Sequence, residues 1–315
     1  MLIVPGTGLI TDAVGLHAWG PYSLFKWVLM ARARRTKVLL VSVGTGPING
    51  AAGRMLVRSI LSLATYTSYR DEESLEYVKS VGLRPKRKLV YPDLVFSLPK
   101  STLPAAGTGA PTRRVVGLGL MLYSGAHGDG DQATYASYLD ALAAFAQWLL
   151  ERDYDIRLLL GDGDTAAIED FRSVLRSRLG DDSERVLYEA FASVDDLLNA
   201  IAATDIVVAT RFHNVVMALT ENKPVIAISF HHKSSGLMRQ MKLTEYCQDI
   251  HKIDAPWLIA QFERLERDRE AIQLTVTQGV EQARAKLEEQ YDRIFPGVSS
   301  GSRDLPFRPR NSEVT

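Results

Sequence analysis

The segment VVATRFHNVVMALTENKPVIAIS, residues 207–229, has the form of a strand, a helix and a second strand. Both apolar runs are short and lack the polar alternation of a half-exposed strand, which is typical of strands covered on both faces. Arg211 and His213 follow the first strand directly, in the first turn of the predicted helix. The segment therefore predicts a parallel α/β fold, with two basic side chains at the strand ends where such folds bind ligands.

The same alternation of buried strands and amphipathic helices runs through the whole chain of 315 residues, a length that favours two domains. The stretch LPKSTLPAAGTGAPT, residues 98–112, has three prolines, two glycines and no periodicity, which is typical of a linker. The predicted organisation is an α/β lobe over 1–98, a linker over 99–113, a second α/β lobe over 114–255, one long helix over 256–296 and a disordered tail over 297–315.

The composition is ordinary for a globular protein, with 46% hydrophobic and 23% charged residues. Lysine plus arginine and aspartate plus glutamate both total 37, which gives no support for nucleic-acid binding. Cys247 is the only cysteine, so an intrachain disulfide and a cysteine metal cluster are excluded. The N-terminal residues do not resemble a signal peptide. We therefore expect a cytoplasmic protein, with contact at the inner face of the membrane left open.

The candidate functional residues are those that follow a predicted strand, because ligands of open α/β sheets bind at the carboxyl ends of strands. The candidates are Thr7, Gly8 and Asp12 in the first loop, Gly44 and Thr45 in the second, Arg70 after the third strand, Arg211 and His213, and His231, His232 and Lys233 after the last strand. Some have simpler explanations: the glycine loops can be tight turns, and Asp71 is expected to cap a helix. Adjacent histidines without a third ligand do not predict a metal site.

Arg211 has the most unusual position. The aligned peptide dipoles place partial positive charge at a helix N-terminus, so a cation there is unfavourable unless an anion lies nearby. A neighbouring carboxylate and an anionic ligand are both possible partners, and phosphate or carboxylate binding at helix N-termini is a recurrent arrangement. His213 can approach the same ligand only at the tip of the helix, because positions i and i+2 do not share a helix face.

Several segments together resemble the polysaccharide pyruvyl transferases, over about residues 1 to 255. They are PGTGLITD (5–12), VSVGTGP (41–47), SYRDEES (68–74), YPDLVFSL (91–98), ATRFHNVVMAL (209–219) and PVIAISFHHKSSGLMRQMKL (224–243). The Arg-Phe-His triplet resembles the family's most diagnostic element. The resemblance implies two Rossmann-like lobes with parallel sheets, a GT-B-like fold with a cleft between the lobes.

The resemblance also implies an activity: transfer of pyruvate from phosphoenolpyruvate to two hydroxyls of a sugar, with formation of a ketal and release of phosphate. The implied acceptor is a glycan or lipid-linked saccharide of a cell-surface polysaccharide, and no metal or cofactor is implied. Arg211 and His213 match the donor-site residues of the family. Arg70 and Lys233 match a second arginine and a lysine, and Gly44 and Thr45 are assigned to the donor site with them. Thr7, Gly8, Asp12, His231 and His232 are assigned to the acceptor or the cleft.

Two departures from the family pattern leave alternatives open. Many relatives have a strand and loop upstream of the residue that is Met1 here, so we expect an exposed edge on the first lobe and the possibility of homo-oligomers. Histidines precede Lys233 where relatives often have an acidic residue. The alternatives are a glycosyltransferase that uses a nucleotide sugar, with the GDGD loop (161–164) facing a diphosphate, and a non-catalytic relative that acts as a binding subunit.

Overall fold

A computed structural model describes residues 1–6, 8, 10–12, 20–84, 88–104, 113–123, 131–159, 165–180, 184–230 and 232–297. The first lobe contains three strands and three helices in alternation. They are β1 (Leu2–Val4), α1 (Pro21–Ala33), β2 (Val38–Val43), α2 (Ala51–Leu63), β3 (Tyr66–Tyr69) and α3 (Glu72–Ser80). Two short 3-10 helices, Leu94–Ser97 and Lys100–Thr102, follow them.

Within the described ranges, the second lobe contains six strands and ends with a pair of long helices. Its elements are β4 (Val115–Gly119), α4 (Gln132–Glu151), β5 (Asp155–Leu159), α5 (Thr165–Leu179), β6 (Val186–Tyr188), α6 (Val194–Ala202), β7 (Ile206–Ala209), α7 (Phe212–Thr220), β8 (Val225–Ser229), α8 (His232–Gln240), β9 (Cys247–Asp249), α9 (Ala255–Arg267) and α10 (Arg269–Ile294). The short and partly polar β9 has no clear periodicity, which explains why the sequence did not predict it.

The strands form two separate sheets, one of order β1-β2-β3 and one of order β6-β5-β4-β7-β8-β9. Every pairing between these strands is parallel, which confirms the predicted fold class. In the second sheet β4 pairs with both β5 and β7. The loops after β4 and its neighbours therefore diverge at this point, where doubly wound sheets form a ligand crevice.

The prediction of one long helix over residues 256–296 was wrong. The chain forms two helices that are interrupted at Asp268. The interruption lets α9 pack against α4, whereas α10 continues to the 3-10 helix Leu94–Ser97 of the first lobe. The apolar spacing continues across the interruption, with Leu265 and Ile272 both buried, so periodicity could not reveal it.

The other predicted boundaries fall partly outside the described residues. Pairing between strands breaks after β3 and resumes in a new sheet at β4, and the described part of the intervening segment includes the exposed residues 100–102. Residues 105–112 and the tail from 298 onward lie outside the described ranges. At the edge of the first sheet, Ile3 of β1 is 43% exposed. No helix within the described ranges is long and apolar enough to cross a membrane.

Helix α10 is tied to the first sheet by Gln290, which is fully buried. Its Nε2 donates to Ser68 Oγ at 2.6 Å and to Tyr66 Oη at 3.3 Å, and its Oε1 accepts from Ser42 Oγ at 3.2 Å. Ser42 has a positive φ of 49° at an irregularity in the pairing of β2, and its amide donates to Ser68 Oγ. One side chain of the last helix thus completes the hydrogen bonding of two strands in the first lobe.

Replacing Gln290 with leucine is expected to destabilise the protein by about 1–3 kcal/mol, because it leaves buried hydroxyls of Ser42 and Tyr66 without their partner. Urea unfolding measures this change. Gln278→Leu is the control, since Gln278 lies on the exposed side of the same helix. Equal stabilities for the two variants would show that the buried network does not hold α10 to the first lobe.

Candidate functional site

Arg70 lies at the carboxyl end of β3 and is 7% exposed. Its Nε lies 3.4 Å from Asp71 Oδ2, and its Nη1 lies 3.3 Å from Asp93 Oδ2. Both aspartates are anchored by the backbone: Asp71 Oδ1 accepts from the amide of Ser74, and Asp93 Oδ1 accepts from the amide of Val95. Two fixed carboxylates therefore hold one guanidinium group in a defined orientation.

The third nitrogen of Arg70 points towards the loop after β2. Arg70 Nη2 is buried and has no hydrogen-bond partner in the described part of the chain. A Cβ atom on Gly44 would lie only 2.9 Å from Nη2, so any larger residue would displace the arginine. Gly44 is thus required for the close approach of the loop.

Arg70 also contacts the second lobe through Phe212. Its guanidinium carbon lies 4.8 Å from the centre of the Phe212 ring, a cation–π distance. Phe212 stands between Arg211 and His213, and its ring lies 6.0 Å from the imidazole of His213, centre to centre. This contact places the predicted arginine of the first lobe next to the Arg-Phe-His turn of the second lobe.

Buried polar contacts inside the second lobe hold the start of α7 in place. Thr210 Oγ1 lies 2.8 Å from Tyr138 Oη, which in turn accepts from the amide of Met121. Asn214 is fully buried directly beneath the helix start, and its Nδ2 donates to the carbonyl of Leu159 at 3.4 Å. Arg211 occupies the N-cap position and is half-buried, whereas His213 is exposed. The Arg-Phe-His turn therefore faces solvent and is held in place by the buried contacts beneath it.

Lys233 lies in the first turn of α8 and reaches the first lobe. A Cβ atom on Gly8 would lie 3.2 Å from Lys233 Nζ, which shows how closely the amine approaches the loop after β1. Burial lowers the pKa of Lys233, and the positive charge of Arg70 lowers it further, while Asp71 and Asp93 raise it. Lys233 therefore belongs to the same electrostatic cluster as Arg70 and its two carboxylates.

A second bridge between the lobes flanks this cluster. Arg239 of α8 donates to Glu73 of α3 at 2.9 Å, and Gly236 allows α8 to approach the same glutamate. Behind Arg70 lies a cavity of about 310 Å³. Its lining includes Tyr91 from the first lobe, Met241 at the end of α8 and Lys286 of α10. The boundary between the lobes is therefore closely packed around the basic cluster but is not completely filled.

Thr45 and Asp12, two of the predicted site residues, make local contacts that support the loops. Thr45 is buried, its hydroxyl donates to the carbonyl of Ser74, and its amide donates to Ser74 Oγ. Asp12 accepts from the amides of Asn49 and Gly50, and so fixes the loop that leads into α2. The structure thus gives both residues a role in shaping the site and no described contact with the basic cluster.

Some predicted site residues cannot be placed. Thr7, His231 and the GDGD loop at 161–164 lie outside the described residues, as does the side chain of His232. Where residues are described, no group of three or more His, Cys, Asp or Glu side chains is arranged to hold a metal ion.

Sequence reasoning missed Asp93 and Phe212 as members of the site. Asp93 lies in the quoted segment YPDLVFSL and could have been found as an aspartate directly before a turn, but its partner Arg70 is 23 residues away. Phe212 resembled an ordinary apolar residue at the start of a helix. The expectation that Asp71 caps a helix is confirmed, because it accepts from the N3 amide of α3. Its second oxygen holds Arg70, which the sequence did not indicate.

The arrangement suits a small ligand with more than one anionic group. Arg70, Lys233 and Arg211 supply positive charge from both lobes, and α7 and α8 begin beside them with N–H groups that favour anions. Two carboxylates offset part of this charge, so the cluster can stay folded without a ligand. The exposed imidazole of His213 adds a side chain that can donate or accept a proton.

Comparison with solved structures supports the two-lobed fold. HepE of Anabaena, solved in complex with UDP and glucose, gives a TM-score of 0.55 at 16% identity over 88% of this chain and 76% of its own. S. aureus MnaA, solved with UDP, gives a TM-score of 0.58 at 12% identity over 87% of this chain and 69% of its own. At identities this low, the likeness shows a GT-B-type fold and nothing about the activity.

Comparison of sequences identifies the family as well as the fold. The amylovoran biosynthesis protein AmsJ of Erwinia amylovora is 24% identical over 282 residues, which are 84% of this chain. The chain spans 66% of the length of that relative. The family model for polysaccharide pyruvyl transferase matches residues 2–232, a region that includes Arg70 and the Arg-Phe-His turn and ends one residue before Lys233. The chain therefore belongs to the polysaccharide pyruvyl transferase family.

Proposed function

We propose that this protein transfers pyruvate from phosphoenolpyruvate to two hydroxyls of a sugar during synthesis of an extracellular polysaccharide. The observation that carries the proposal is the convergence of Arg70, Lys233 and the Arg-Phe-His turn at the strand ends of the two lobes. Family membership and the likeness to an amylovoran biosynthesis protein support the substrate class.

Phosphoenolpyruvate has a carboxylate and a phosphate, so its recognition requires several cations and hydrogen-bond donors in a small volume. Arg211 and the first amides of α7 form one such group, and Lys233 forms a second from α8. A planar arginine fork binds a carboxylate or phosphate through two parallel hydrogen bonds, whereas the lysine acts as a point charge. Arg70 orients the Phe212 turn from the first lobe.

The reaction is a sequence of additions with one elimination. A proton adds to the methylene carbon of phosphoenolpyruvate, and a sugar hydroxyl adds to the adjacent carbon as it develops positive charge. The carbon–oxygen bond to phosphate breaks, phosphate leaves, and the second hydroxyl closes the ketal ring. The two hydroxyls lose two protons, which balance the proton gained by the new methyl group and the proton carried by phosphate. In this scheme the imidazole of His213, at the exposed tip of α7, donates or accepts one of these protons.

A glycosyltransferase that uses a nucleotide sugar is the competing function, because the solved structures with this fold include complexes with UDP. Thermal unfolding in the presence of phosphoenolpyruvate, UDP and a UDP-sugar separates the two proposals. A ligand at 100 times its dissociation constant adds about 2.7 kcal/mol of stability. Stabilisation by UDP and not by phosphoenolpyruvate would overturn the proposed function. A non-catalytic relative is recognised by a second measurement, because it would release no phosphate from phosphoenolpyruvate with any acceptor.

Arg211→Lys is expected to weaken binding of phosphoenolpyruvate by roughly 10- to 150-fold. Lysine keeps the charge but loses the fork, and a hydrogen bond to a charged group contributes about 1.5–3 kcal/mol. Titration calorimetry gives the affinity. Arg176→Lys, on the exposed side of α5, is the matched control and should bind as the wild type does. Normal binding by Arg211→Lys would place the donor elsewhere.

His213→Gln is expected to bind phosphoenolpyruvate with nearly unchanged affinity and to lower turnover by roughly 10²–10⁴, the usual contribution of general acid–base catalysis. Release of phosphate in the presence of acceptor glycan is the measurement. His251→Gln is the control: His251 is also exposed in the second lobe, where its Nε2 lies 3.3 Å from Tyr123 Oη. Wild-type turnover by His213→Gln would make His213 a structural residue.

At a pH above the lowered pKa of Lys233 in the free protein, binding of phosphoenolpyruvate is expected to be accompanied by proton uptake at Lys233. Burial and the charge of Arg70 lower the pKa of this amine below its ordinary value of 10.5. A bound anion favours the charged form and raises the pKa again, so affinity should fall as pH rises through the lowered pKa of the free protein. Calorimetry in buffers of different ionisation enthalpy measures the uptake. Lys233→Met should abolish it, and an unchanged uptake in that variant would assign the proton to another group.

A further inference from the structure

The outward face of α1 is largely apolar, although it points away from the sheet. Leu24 and Val28 are buried, as expected for the face that packs inward. On the opposite side, Trp27 is 60% exposed, Met30 52% and Leu29 47%, and Lys26 is the exposed basic residue among them. Solvent-facing positions of a surface helix are normally polar, so large apolar side chains exposed together on one face are normally covered by another surface. α1 packs against α2 and β2, and these contacts do not cover the outward face.

The part of the sequence that contains this face has basic residues and no acidic ones. Residues 13 to 70 contain no aspartate or glutamate, although the protein as a whole has a net charge of zero. The same stretch contains eight basic residues: Lys26, Arg32, Arg34, Arg35, Lys37, Arg54, Arg58 and Arg70. Arg70 belongs to the site between the lobes, which leaves seven on α1, α2 and the turn after α1.

The basic run at the end of α1 is exposed and unneutralised. Arg32, Arg34, Arg35 and Lys37 are exposed, and none of them pairs with a carboxylate within the described residues. On α1 itself, the ammonium group of Lys26 lies 5.0 Å above the ring of Tyr22. Exposed aromatic and aliphatic side chains with basic residues beside them are the composition of helices that lie in a membrane interface.

We propose that the outward face of α1 and the basic run that follows it dock the protein on a membrane surface with anionic lipid headgroups. Trp27, Leu29 and Met30 enter the interface, and Arg32, Arg34, Arg35 and Lys37 attract the headgroups. The charge pattern disfavours a second copy of the chain as the occupant of this face. A two-fold interface would bring the same unneutralised cations of both copies together, which is repulsive. This surface is separate from the donor site and stands whether or not the proposed reaction is correct.

The test is cosedimentation of the full chain with vesicles of phosphatidylcholine, with and without phosphatidylglycerol. The wild type should bind the anionic vesicles, bind neutral ones much more weakly, and dissociate as salt is raised. Each basic residue near such a surface contributes about 1 kcal/mol, which is about fivefold in partitioning. Arg34→Gln with Arg35→Asn should therefore weaken binding about 30-fold.

The matched control is Lys242→Asn with Lys252→Gln, which removes two exposed positive charges from the second lobe. The control also matches the backbone, since Arg35 and Lys242 both have positive φ, at 54° and 60°. It should bind vesicles as the wild type does. Trp27→Ser and Met30→Ser should each weaken binding about 10-fold, because each removes apolar area that enters the interface. All variants should unfold at the wild-type urea midpoint, which checks that they fold.

Three outcomes would overturn the proposal. The wild type could fail to distinguish anionic from neutral vesicles. The control could weaken binding as much as the α1 variants do, which would place the docking surface elsewhere. Sedimentation velocity without vesicles could reveal a dimer that Trp27→Ser dissociates, which would assign the face to a second copy of the chain.

Discussion

The pairing of Arg70 with Asp71 and Asp93 is the interaction on which the site depends. A buried guanidinium group is costly unless it is paired and hydrogen-bonded, and here two carboxylates anchored by backbone amides hold it. The fixed arginine then contacts Phe212 of the second lobe. The position of the Arg-Phe-His turn relative to the first lobe therefore depends on an ion pair that is complete within the first lobe.

The fixed position of Arg70 accounts for the close-packed glycines nearby and for part of the lowered pKa of Lys233. Gly44 must lack a side chain because Arg70 Nη2 occupies the space where a Cβ would project, and Gly8 gives the same close approach to Lys233. Two cations in such proximity repel one another, which lowers the pKa of Lys233 beyond the effect of burial. The two aspartates offset this repulsion in the free protein. An anion bound beside the two cations would relieve what remains of it.

The fold was predictable because strands buried on both faces and amphipathic helices leave strong local patterns. Residues 207–229 alone indicated a parallel sheet, and the two helix-start cations indicated an anion site. The break at Asp268 was not predictable, because the apolar spacing of α9 continues into α10 and the cause of the break is what each helix packs against. Likewise, Asp93 and Phe212 join the site only through contacts with Arg70, and no local pattern encodes a contact between distant residues.

Helix α10 is a second connection between the two lobes, in addition to the contacts of the basic cluster. Its buried Gln290 bonds to three hydroxyls of the first sheet, and Arg284 donates to the carbonyl of Leu98. These contacts lie on α10, whereas the basic cluster lies at the strand ends and is bridged by the exposed pair of Arg239 and Glu73. An exposed ion pair contributes little stability, about 0–1 kcal/mol, and a buried polar network contributes more. The polar contacts of α10 therefore tie the lobes together more firmly than the pair of Arg239 and Glu73 does.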